Sequence, residues 1–78
     1  MAFLLRLIMY SDFEKDTRFY ELLLTKDLFG WVIVKHYGRK GSPKGKTRTT
    51  PFNSYEAAEK YYQQEYKRRL ARHYVAIL

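Results

Sequence analysis

Apolar residues alternate with other side chains along the first half of this chain and recur every fourth residue from Ala58 onward. A period of two sends side chains to opposite faces of a strand, whereas a spacing of three to four gathers them on one face of a helix. The chain therefore reads as strands first and a helix after. Phe3, Leu5, Leu7 and Met9 fall on one side of a first strand, with Arg6 and Tyr10 on the other. Residues 11–16 are polar and read as a turn. In a second strand over residues 18–25, Tyr20, Leu22 and Leu24 alternate with Phe19, Glu21 and Leu23, and the Tyr20 side is taken as the core side. Residues 26–30 supply a turn in which Gly30 is free to take a positive φ. A third strand over residues 31–37 is rich in β-branched residues.

Gly38, Gly41, Pro43 and Gly45 then interrupt the pattern and predict a mobile basic loop over residues 38–45. A short polar strand over residues 46–50 ends at Pro51. Asn53 with Glu56 three residues later forms a capping box, and Phe52 before it can pack on Ala57 as a hydrophobic staple. The helix predicted over residues 54–71 buries Ala58, Tyr62, Tyr66 and Leu70, flanked by Tyr55 and Tyr61. It exposes Lys60, Gln64, Lys67, Arg68 and Arg72. Residues 74–77 add a short strand or pack back on the core. The fold class is α+β: an antiparallel sheet of three to five strands with one amphipathic helix packed on one face. At 78 residues there is room for a single domain over residues 1–78, burying only about 60% of the surface its unfolded form exposes.

Charge is unevenly placed. Of the net +7, residues 35–48 hold six basic groups (Lys35, Arg39, Lys40, Lys44, Lys46 and Arg48) and no acid, whereas residues 1–34 are slightly acidic. Such a cluster serves either as a solubilising surface or as a polyanion site, and its one-signed concentration favours the second. Aromatic residues make up 18% of the chain, a surplus over core needs that is available to a ligand. The absence of Cys removes disulfides, thiol nucleophiles and thiolate metal sites, and fits a reducing interior. The N-terminal apolar run is interrupted by Arg6 and lacks a preceding basic segment and a cleavage site, so it reads as a strand and not as a signal peptide. No run approaches the ~18 apolar residues of a membrane span. A soluble, cytoplasmic protein without membrane contact is the expectation.

Catalytic chemistry has little to work with. The only imidazoles are His36 and His73, neither set in a nucleophile–base constellation, and two His without Cys or paired acids make a poor metal site. The Gly41–Thr47 stretch superficially resembles a phosphate loop. It has three residues between the glycines where that motif has four, contains Pro43, and leads into a strand where the motif requires a helix. Glu56 and Glu59 read as helix N-terminal charges. No enzyme, no cofactor and no metal site are expected.

The order of residues nonetheless resembles a known family. Within residues 28–42 stands Tyr37-Gly38-Arg39 followed by Gly41, similar to the Trp-Gly-Arg signature of the WGR domain family. The resemblance extends to residues 18–22 before the signature, residues 45–48 after it, Phe52, the helix, and the basic run over residues 67–74, and so covers nearly the whole chain. Members occur in DNA-dependent poly(ADP-ribose) polymerases, where the domain contacts DNA near a break and relays that event to a catalytic domain. The resemblance thus implies a nucleic-acid-binding module with no activity of its own. Tyr37 in place of the family Trp either keeps a smaller stacking platform or is a core residue; strand alternation groups it with Trp31 and Ile33 without saying which face is buried.

The function expected from these readings is non-catalytic nucleic-acid binding, with DNA ahead of RNA, through Lys35, Tyr37, Arg39, Lys40, Lys44, Lys46 and Arg48 on strands 3 and 4 and their loop. Arg39 leads, because a guanidinium grips phosphate bidentately; its competing role is a salt bridge to Glu21. Lys67, Arg68, Arg69 and Arg72 either extend the patch or form a solvated helix end, and the second is favoured. Little sequence preference is expected, since no recognition helix or base-reading array is visible. The alternative is a protein–protein interaction module, or a small regulatory subunit docking on an acidic partner, announced by an exposed apolar patch. Both a monomer and a homodimer through an edge strand fit the sequence.

Overall fold

The computed structural model describes residues 6–42 and 44–78, so Phe3, Leu5 and Pro43 lie outside the described residues. Five strands and one helix follow in the order β1 (Arg6–Lys15), β2 (Arg18–Lys26), β3 (Trp31–Arg39), β4 (Lys46–Phe52), α1 (Tyr55–Ala71) and β5 (Val75–Ala76). The strands form one antiparallel sheet in the order β4-β3-β2-β1-β5, and α1 packs across one face. The α+β class expected from the change of period is the class found. Among the described residues no helix is long and apolar enough to cross a membrane.

The stretch over residues 11–16 is not a turn: β1 continues through it to Lys15. Its polar composition misleads because only one side of the strand is covered. Phe13 is fully buried and Ser11 nearly so, with the Ser11 hydroxyl hydrogen-bonded to the Tyr62 hydroxyl of α1, while the intervening Asp12 and Glu14 lie on the open face. The reversal shrinks to Asp16 and Thr17, where Asp16 adopts φ 53°. A register shift between Leu7 and Met9 also breaks the expected single-sided pattern. Leu7 pairs with Thr25 and Met9 with Leu24, so the two point to opposite faces, and Leu7 is 59% exposed.

Between sheet and helix, Phe13, Leu22, Leu24 and Ile33 are fully buried together with Ala58, and Tyr20 and Tyr62 are nearly so. Tyr20, Leu22 and Leu24 thus form the core side of β2, as their alternation predicted. The β2–β3 turn is held by Asp27, whose carboxylate accepts from the backbone N–H groups of Phe29 and Gly30 at 2.8 and 2.9 Å. Gly30 is required there: it has φ 155°, and a Cβ would stand 2.8 Å from the Phe52 carbonyl oxygen. Pro51 does not end β4 but pairs with Val32 inside it. The strand tolerates a residue without an N–H because it is the sheet edge.

The helix starts on a different cap from the one expected. Ser54, not Asn53, accepts from Ala57 N, at 3.2 Å. Phe52 packs its ring on Tyr61, at 5.4 Å between centroids, while Ala57 is exposed. Ala58 and Tyr62 are buried and Tyr66 packs against the core, but Leu70 is 45% exposed. The reason is rotational. Each step of four residues turns about 40° past a full circle, so three steps from Ala58 carry the side chain about 120° away from the core. Glu65 and Arg69 occupy the inward positions instead.

The helix ends on a left-handed residue. Tyr74 N donates to Arg69 O and His73 N to Leu70 O, both at 3.0 Å, and His73 has φ 70° in the position that glycine usually fills. That reversal directs Tyr74 back over the sheet and lets Val75 and Ala76 pair with Glu14 and Phe13. The tail therefore adds a strand.

Candidate nucleic-acid interface

Directly paired residues of neighbouring strands share a face, so the register assigns each basic residue its side. Leu22 pairs with Lys35 and Lys35 with Arg48; Tyr20 pairs with Tyr37 and Tyr37 with Lys46; Arg18 pairs with Arg39. Since Leu22 and Tyr20 are core residues, Lys35, Tyr37, Lys46 and Arg48 belong to the helix-bearing face. Alternation puts Arg39 on that side at the end of β3. His36 lies on the opposite, open face. Its Nδ1 is 2.8 Å from a Glu21 carboxylate oxygen, and its ring meets Phe19 edge-on at 5.1 Å. Glu21 also accepts from the Tyr10 hydroxyl, so the carboxylate weighed as a partner for Arg39 is engaged by His36 and Tyr10.

The seven residues singled out from the sequence divide into three groups. Tyr37, Arg39, Lys46 and Arg48 lie on the helix-bearing side of β3 and β4, with the three cations exposed. Lys44 is exposed on the adjoining loop and borders a 440 Å³ recess together with Tyr37, Gly38, Gly45 and Lys46. Lys35 and Lys40 already have partners. Lys35 Nζ donates to the Tyr61 hydroxyl at 2.7 Å and lies 3.9 Å from the buried Glu65, whereas Lys40 Nζ is 2.7 Å from Glu14.

Tyr37 is a core-packing residue that also borders open surface. Its ring stacks on Tyr20 at 5.4 Å with the planes 14° apart, and it packs against the core cluster. It also forms a wall shared by the recess beside Lys44 and by a second, larger cavity.

That second cavity, a cleft of 460 Å³ between the end of α1 and the sheet, is lined by Arg18, Tyr20, Lys35, Tyr37, Arg48, Arg69, Arg72 and Tyr74. Four elements and the segment after α1 thus contribute five cations and three phenols, with no carboxylate among the described lining residues. The Arg69 guanidinium lies over the Tyr20 ring at 4.4 Å and near the Tyr74 ring at 5.4 Å. Its Nε is buried with no hydrogen-bond partner. Burial pushes the Tyr20 phenol up to about 12, the Arg69 cation pulling the other way, so it is neutral at physiological pH.

Sequence reasoning favoured a solvated helix end for Arg69 and Arg72 over an extension of the basic patch, and did not single out Arg18, Tyr20 or Tyr74 for a site. The rotational drift of the four-residue spacing is the signal that brings Arg69 inward. Arg18 is legible from the hairpin, which sets it across from Arg39. Among the described residues no group of three or more His, Asp or Glu is arranged to hold a metal ion.

Neither the curated proteins nor the solved structures give a match to this sequence. A family model does match, over residues 4–77, which is nearly the whole chain, and Tyr37-Gly38-Arg39 falls inside the matched span. The chain belongs to the WGR domain family.

Proposed function

We propose that this chain is a non-catalytic module that binds nucleic acid, DNA ahead of RNA, through Tyr37, Arg39, Lys44, Lys46 and Arg48. The observation that carries this reading is the placement of exposed Lys46 and Arg48 on adjacent rows of an edge strand, on the same side as Tyr37 and Arg39. Such a surface offers a phosphate backbone several cations and one aromatic ring without any element lying over the edge. Membership of a family that includes DNA-contacting modules supports the same conclusion. Lys35 and Lys40 contribute little, because their ammonium groups are already engaged by Tyr61 and Glu14.

Phosphate neutralisation releases condensed counterions, so affinity falls with salt in proportion to the contacts made. Four free cations give a slope of log K against log salt of about −3.6 on duplex DNA. The test is fluorescence anisotropy with blunt duplex, nicked duplex, single-stranded DNA and RNA, each titrated at several salt concentrations. Arg48→Gln lowers the magnitude of the slope by about 0.9. Lys40→Gln leaves it unchanged. Flat traces on all four probes at low salt refute the reading.

A protein-docking role has one observation in its favour: Phe29 is 91% and Leu28 69% exposed on a turn made rigid by Asp27. Co-purification of a partner that survives nuclease treatment and is lost in Phe29→Ser identifies that second role.

A further inference from the structure

The cleft at the end of α1 holds more positive charge than a passing phosphodiester chain requires. Arg18, Arg48, Arg69 and Arg72 all border it, and within the described residues none of the carboxylates lines it. Lys35, also in the lining, is tied by a hydrogen bond to Tyr61. A phosphodiester brings one negative charge to each such point, whereas phosphate monoesters carry about 1.5 to 2 and linked phosphates more. Like charges crowded into one concavity repel in the absence of a ligand, and a compact polyanion relieves that repulsion most effectively. The volume of 460 Å³ falls within the range of small-molecule sites.

Arg69 adds a pre-positioned cation to the cleft. Two tyrosine rings hold its guanidinium in place, which leaves little conformational freedom to lose on binding. Its Nε–H is buried with no hydrogen-bond partner, which costs free energy and is offset by the packing of the guanidinium between the rings. The rest of the guanidinium fork suits adjacent phosphate oxygens. Next to the cleft, on the other side of Tyr37, lies the 440 Å³ recess between Gly38 and Gly45 and the side chains of Lys44 and Lys46. The two glycines let the strand and the loop approach closely at its floor: a Cβ at Gly38 would come within 3.2 Å of Gly45. The volume of the recess is ample for a planar ring, with Tyr37 as one wall.

We propose that this cleft is a binding site for linked phosphates of the pyrophosphate type attached to a nucleoside, with the phosphates among Arg18, Arg48, Arg69 and Arg72 and the base in the recess beyond Tyr37. A free nucleoside di- or triphosphate and the 5′-triphosphate end of an RNA strand both carry this group. The site shares Tyr37, Arg48 and the recess beside Lys44 and Lys46 with the duplex-binding surface but adds Arg18, Arg69 and Arg72, which that surface does not use, so variants at Arg69 and Arg72 separate the two.

The test is calorimetric titration of the full chain, at constant ionic strength, with adenosine, AMP, ADP, inorganic pyrophosphate and sulfate. Anisotropy of RNA ending in a 5′-triphosphate is compared with the same strand ending in a 5′-hydroxyl. ADP and pyrophosphate bind at least about tenfold more tightly than AMP or sulfate, and Arg72→Gln weakens ADP about tenfold. Arg69→Gln does the same, and Arg72→Gln guards against loss of folding in that variant because Arg72 is exposed. Both variants keep their affinity for hydroxyl-ended duplex. ADP binding identifies a free nucleotide as the source, and a preference confined to the triphosphate strand identifies the strand end. ADP and pyrophosphate no tighter than sulfate, with no effect of the 5′-triphosphate, overturns the proposal. Flat duplex traces with tight ADP binding refute only the nucleic-acid reading.

Discussion

Lys35 separates a structural cation from a ligand-binding one, and its replacement by Met tests that assignment. The side chain is 15% exposed and donates to the Tyr61 hydroxyl at 2.7 Å, linking β3 to α1. Glu65, 4% exposed, has Lys35 at 3.9 Å and Arg68 at 3.5 Å as its charge partners. A hydrogen bond to a charged group contributes about 1.5–3 kcal/mol, and removing one partner of a buried pair costs about 3–5 kcal/mol. The long separation from Glu65 and the persistence of Arg68 place Lys35→Met below that second range, at about 2–3 kcal/mol. Against a total of about 4–12 kcal/mol for a chain of this length, that loss is large enough to lower Tm by roughly 10–20 °C. Urea denaturation followed by circular dichroism measures it. Lys35→Met combined with Glu65→Leu recovers most of the loss, because a well-packed apolar pair replaces a buried ionic one at little net cost. A destabilisation below about 0.5 kcal/mol, together with duplex affinity weakened about tenfold, refutes the reasoning and makes Lys35 a phosphate contact.

Two further outcomes follow from local geometry. His73 holds a left-handed conformation at the helix C-terminus, so His73→Gly stabilises the fold by roughly 1 kcal/mol in urea melts, and a destabilised variant contradicts that account. Tyr20 titrates near 10 when unfolded and about 12 when folded, so the folded state binds the extra proton between those values and stability is lost as pH rises through them, by up to about 2–3 kcal/mol. Tyr62, also raised by burial, acts in the same direction. Urea midpoints measured from about pH 9 to about pH 12 fall less steeply in Tyr20→Phe; parallel slopes in both proteins rule out Tyr20 as the source.

What the sequence discloses depends on whether the deciding interaction is local. Tyr20, Leu22 and Leu24 are legible as a core side because alternation is a property of one strand, and the helix is legible because its period is a property of one segment. The polar stretch over residues 11–16 misleads because its partner is distant: Ser11 is a buried strand residue only once Tyr62, 51 residues away, supplies a hydrogen bond. Pro51 misleads for the converse reason, since an edge position excuses its missing N–H and edge status is a property of the whole sheet. The basic residues show the same division. Their clustering over residues 35–48 is plain in the chain, but pairing removes Lys35 and Lys40 from the free cations, and the rotational drift of the four-residue spacing along α1 adds Arg69 and Arg72 to the cleft. Tyr37 joins the two sets: it is stacked on Tyr20 inside the fold and borders both cavities outside it. A substitution there, unlike one at Lys46 or Arg48, therefore alters stability and binding together.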